Sequence, residues 1–151
     1  MKYFSYANLM DIDYLHRVAP SAKVVGIGCL KDYEFSFGVC HDGSHSGARL
    51  VPSKGGEIWG VEYELSDADM AALDKSAGVE HGHWAHKAIE LHTADGRTYQ
   101  SMTYDMPNPS APAGPPAHYV EPALKGARAN KLPADYIVKL EALLAGNSAR
   151  A

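Results

Sequence analysis

The chain has 151 residues, 46% hydrophobic and 21% charged, with a formal net charge of −4. That length suits one domain with a proper core. No Lys/Arg stripe offers a footprint for nucleic acid, and no apolar run nears the ~20 residues of a membrane-spanning helix.

Lys2 to Tyr6 reads as a short opening strand. Asn8, Asp11 and Asp13 follow too soon for a signal-peptide apolar region. Asp11 to Arg17 predicts a short helix stopped before Pro20. Val24–Leu30 and Tyr33–Phe37 are β-branched and aromatic, hence two strands. His41 to Gly47 is a polar loop. Glu57–Leu65 is the clearest strand, with Trp59, Val61, Tyr63 and Leu65 on one face. Ser66 is placed to cap a helix, with Asp69 as the capping-box acid and Gly78 as the left-handed stop.

Trp84–His92 and Arg97–Tyr104 flank Ala94-Asp95-Gly96, a hairpin turn. Met106–Pro116 is rich in Pro, Ala, Gly and Ser and reads as a loop, not a domain linker. Two helices are expected to close the chain. One begins near Tyr119 to Pro122 and ends around Ala129; the other starts at Pro133 and ends by Gly146. Residues 1–151 are therefore read as a single domain, with a frayed tail at about 147–151. Cys29 and Cys40 lack metal-ligand spacing and are read as ordinary thiols of a cytoplasmic protein.

Four stretches carry a family resemblance. Tyr3 to Met10 looks like the opening Y-F-A-Y-G-S-N-M, and Glu57 to Leu65 like a V-W-G-V-L-Y-x-L strand. Leu73-Asp74-Lys75-Ser76-Ala77-Gly78 resembles L-D-x-x-E-G. Tyr119, Gly126-Ala127 and Leu132 to Ile137 look like Y…G-A…L-P-x-x-Y-I. In this order they resemble the gamma-glutamyl cyclotransferase-like (AIG2-like) family over nearly the whole chain. The resemblance implies an α+β fold: a small mixed β-barrel flanked by helices, with a cavity at its mouth. It implies that the Tyr6-Ala7-Asn8-Leu9 loop holds substrate oxygens through backbone amides, with Trp84 and Tyr119 at pocket positions. The family's chemistry is an intramolecular attack of the substrate's α-amine on its γ-carbonyl, which releases 5-oxoproline, with a glutamate as proton shuttle.

The sequence departs from the family at three points. Ala77 stands where the family has that glutamate. The opening loop is one residue shorter and has Ala7 where glycine is expected, which should reshape the anion pocket. Glu62 replaces an aliphatic residue in mid-strand; it is either a solvated strand carboxylate or a cavity-facing acid/base. Glu80 is a second stand-in, with a loop carboxylate as its plain alternative.

In Glu80-His81-Gly82-His83-Trp84-Ala85-His86, only His81 and His83 share a face if extended. No metal site is therefore expected, and His83 is instead a candidate general base. His41 and His45 have no partner legible in the sequence. No nucleotide-binding glycine motif or nucleophile elbow is present, and no cofactor is implied.

The expected function is a cyclotransferase-like enzyme of transferase or lyase type. It acts on a small amino-acid-derived amide or amine, with the acid/base role moved to Glu62, Glu80 or His83. The alternative is a catalytically inactive small-molecule-binding paralogue. No nucleic-acid or membrane partner is expected, and the Pro-rich loop or the terminal helices can serve a homodimer.

Overall fold

The computed structural model describes residues 1–146; the tail expected at 147–151 lies outside the described residues. Tyr3, Phe4 and Ser5 are buried in the opening strand, β1 (Lys2–Ser5). The two strands expected between residues 24 and 37 are one, β2 (Lys23–Val39), paired with a slightly longer β3 (Ser46–Glu64). Register shifts at Val24/Gly26 and Lys31/Tyr33 let β2 bend without ending. Asp32 takes φ 68°, which Asp tolerates better than most residues, and its carboxylate accepts from the Gly55 amide at 3.0 Å. The gap at 31–32 between the two expected strands is therefore an irregularity within one strand.

β4 (Ala85–His92) and β5 (Thr98–Asp105) form the expected hairpin, with Gly96 at φ 88° in the turn. A two-residue strand, β6 (Ala111–Pro112), pairs with β2 inside the Pro-rich loop. The sheet order is β1-β3-β2-β4-β5, and these pairings are antiparallel. β5 returns to β1 through side chains. Thr103 Oγ1 donates to the Phe4 carbonyl at 2.7 Å, and Tyr6 Oη to the Tyr104 carbonyl at 3.0 Å. The α+β class and the helix-flanked sheet are those expected.

Helix α1 (Ile12–Leu15) is capped by Asp11, whose carboxylate accepts from the Asp13 amide. Ser66 caps α2 (Asp67–Ser76) by accepting from the Asp69 amide at 3.2 Å. The Asp69 carboxylate does not close a capping box; it accepts from the Ser21 amide at 2.7 Å, tying α2 to the segment before β2. Helix α3 (Ala117–Ala129) starts earlier than expected, with Pro122 inside it, and α4 (Ala134–Leu144) begins just after Pro133. The α3 face carrying Ala123, Gly126 and Ala127 is buried. Gly126 lies directly against the Met10 backbone, where a Cβ would collide with carbonyl atoms. This contact presses α3 onto the segment following β1.

Candidate active site

That segment forms one wall of a cavity of about 550 Å³, a size suited to a small metabolite. Tyr6, Ala7, Asn8 and Leu9 line it. Residues Asn8–Met10 close a single 3-10 turn, and Tyr63 Oη, 2.9 Å from both the Leu9 and Met10 carbonyls, fixes its far end. Ala7 has φ −128°, outside the left-handed region that favours glycine.

Trp84 and Tyr119 line the cavity, as the resemblance implied. Trp84 Nε1 donates to the Ala48 carbonyl at 3.0 Å, which sets the ring's plane. Tyr119 packs edge-on against Phe37, with ring centroids 5.8 Å apart, and burial pushes its phenol up to about 12. It therefore remains an O–H donor at neutral pH. Ala77 lies in the wall contributed by the end of α2, with Leu73 and Ser76.

The sequence-derived acid/base candidates fall outside this lining. Glu62 pairs with Phe4 across the β1–β3 ladder, on the opposite face from Tyr3 and Ser5, which do line the cavity. It is neither solvated nor cavity-facing. It is fully buried, with Ser101 Oγ at 2.8 and 2.9 Å from its two oxygens, and burial raises its carboxyl to about 7. Glu80 is exposed in the 3-10 turn Val79–His81, 3.6 Å from His81. His83 is buried behind the wall, its Nε2 2.9 Å from Asp42 Oδ2. His86 bonds Asp74 Oδ1 at 2.6 Å, and Tyr104 Oη donates to the same oxygen at 2.5 Å.

Other residues supply the chemistry of the wall. Ser44 and His45, from the β2–β3 connection, line the cavity, as do Arg17 and His118. Among the described lining residues there is no carboxylate, and Arg17 is the one permanent cation. Arg17 lies over the Tyr14 ring at 4.8 Å. No sequence signal pointed to His45 or Arg17, since each comes from a segment that carries no family motif.

Comparison with known proteins agrees with this architecture. Residues 57–140 match the model of the AIG2-like family. The chain is 31% identical to gamma-glutamylcyclotransferase of Mus musculus and 29% identical to that of Bos taurus. Each alignment runs over 147 residues, 93% of this chain and 77% of the relative. A solved structure described as a gamma-glutamyl cyclotransferase superposes with a TM-score of 0.88 at 27% identity, covering 95% of this chain and 87% of that one.

The chain belongs to the AIG2-like family.

For an AIG2-like protein with these relatives, a cyclotransferase-like function is the supported activity at the coarse level. Among the described residues no helix is long and apolar enough to cross a membrane. Cys29 and Cys40 are both buried and free.

Proposed function

We propose that the chain cyclises a small, anionic gamma-glutamyl-type amide in the cavity between the Tyr6–Leu9 loop and α2. The carrying observation is the lining itself: a metabolite-sized space with Arg17 and without a carboxylate among its described residues. Arg17 offers a substrate carboxylate its partner. The Tyr6–Leu9 loop offers its backbone to the carbonyl oxygen. The substrate's amine nitrogen attacks its own γ-carbonyl carbon, the γ-amide C–N bond breaks, and 5-oxoproline leaves with the freed amine. One proton must leave the attacking nitrogen and one must reach the departing nitrogen.

With Ala77 in the wall, that proton traffic falls to the Ser44–His45 side. His45 carries an imidazole, a group able to take up and return a proton. Glu62 and Glu80 take no part in this reading, because neither reaches the cavity.

The test is 5-oxoproline release from gamma-glutamyl dipeptides and gamma-glutamylamines. We expect turnover that falls about 10²-fold or more in His45→Ala and persists in Glu62→Gln. No turnover by the folded native chain, combined with saturable binding of the same compounds, would replace this reading with a binding role.

A further inference from the structure

We propose that Cys40, His45 and His83 form a binding site for a divalent transition-metal ion of the zinc type, at the rim of the cavity. The ligand atoms of these three residues lie within 4.8 Å of one another. On a tetrahedral zinc ion such atoms stand about 3.5 Å apart, so side-chain adjustment closes the gap. Cys40 and His83 are buried, while His45 is exposed. His41, Asp42 and His83 make an overlapping triple, so His83 is common to both.

The present arrangement is a hydrogen-bond cluster centred on Asp42 and Ser44. Ser44 Oγ lies 2.5 Å from Asp42 Oδ1, 2.8 Å from His45 Nδ1, 3.3 Å from His83 Nε2 and 3.6 Å from Cys40 Sγ. Its hydroxyl proton goes to Asp42, and His83 Nε2–H, 2.9 Å from Oδ2, donates to the same carboxylate. The Cys40 thiol also donates to Asp42 Oδ1, at 3.0 Å. A bound cation would take the place of the protons on the Cys40 sulfur and on His83 Nε2. The thiol proton leaves to solvent as the sulfur binds.

His83 is already oriented for this role. Its ring packs against Gly78, where an added Cβ would collide with Nδ1, and its amide donates to the Gly78 carbonyl at 3.1 Å. Nε2 is thereby directed at the cluster. A nucleophilic serine relay does not fit, because Ser44 and Asp42 meet the same ring nitrogen of His83 and not opposite ones. One thiolate and two imidazoles suit zinc, or cobalt as its spectroscopic substitute, and not magnesium or calcium.

Ser44 and His45 also line the cavity, so the ion's remaining position faces the substrate space. In this role, which rests on the cyclotransferase reading, a substrate oxygen or a bound water becomes the last ligand. Such a water titrates near pH ~7. It would then move the proton while His45 serves as ligand.

The experiment is a Co²⁺ titration of the full chain after chelator treatment, followed by Zn²⁺ competition. We expect one ion per chain, a thiolate-to-cobalt charge-transfer band and intense tetrahedral visible bands, all displaced by Zn²⁺. Cys40→Ser should lose the charge-transfer band. His83→Asn and His45→Asn should weaken Zn²⁺ binding by more than the roughly 10–100-fold typical of an outer-shell change. His81→Asn should bind as the native chain does. If Cys40→Ser or His83→Asn fails the circular-dichroism test of folding, the exposed His45→Asn decides. Absence of the charge-transfer band in the native chain, or native affinity in His45→Asn, overturns the site. The cobalt spectrum needs no turnover. 5-Oxoproline release without the band leaves the function and removes the metal, and the band without 5-oxoproline does the reverse.

Discussion

Glu62→Gln exposes what a buried carboxyl does to this fold. Glu62 is fully buried, and Ser101 Oγ is its hydrogen-bond partner. Burial raises its carboxyl from 4.5 to about 7 in the folded chain. Below about pH 4.5 both folded and unfolded chains hold the proton, and the site costs nothing extra. Between about 4.5 and 7 the unfolded chain releases its proton while the folded chain keeps it, so stability falls as pH rises. Above 7 the loss levels off at about 3 kcal/mol at most, from 1.36 kcal/mol per unit.

Gln keeps the shape and cannot ionise. The variant should match the native chain near pH 4.5 and exceed it by about 2–3 kcal/mol at pH 8, a Tm gain of roughly 5–10 °C. Urea unfolding of both proteins at several pH values between 4 and 8 measures this. The difference between them cancels the opposite trend of Asp42, Asp69 and Asp95, whose carboxyls are held low by hydrogen bonds. A difference that is constant with pH, or that favours the native chain at pH 8, would refute the argument.

Three further outcomes are expected. Gly126→Ala drives a methyl into the Met10 backbone and should cost about 1–3 kcal/mol in urea unfolding; an unchanged midpoint would mean that α3 does not bear on the opening loop as described. Ser66→Ala removes the α2 cap and its bond to Ser21, and should cost about 1 kcal/mol, with Ser66→Asn recovering most of it. Ala77→Glu places a carboxylate in the wall, yet should raise 5-oxoproline release by less than the ~10² expected of a well-placed acid/base, on the expectation that the opening loop is reshaped as well. A larger gain would make position 77 the sole limit.

Local chemistry made much of this protein legible before its structure. Ser66 and Gly78 bracket α2 because a hydroxyl satisfies a free amide and glycine accepts a left-handed stop. The hairpin at Gly96 and the start of α4 after Pro133 follow from equally local preferences. Motif order was enough to place Tyr6–Leu9, Trp84 and Tyr119 around one cavity. The fusion of two expected strands into β2 was not legible, because pairing with β3 carries the chain through Asp32 despite its local cost.

Nor was the fate of the charged candidates. Two-residue alternation put Glu62 opposite Val61, but not which face looked into the cavity; β5, folded back against β1, supplied Ser101 and closed over it. His45, His83 and Cys40 meet only because the β2–β3 connection and the turn after α2 converge. Sequence records the donor atoms of such a cluster, while their distances depend on contacts between segments some 40 residues apart.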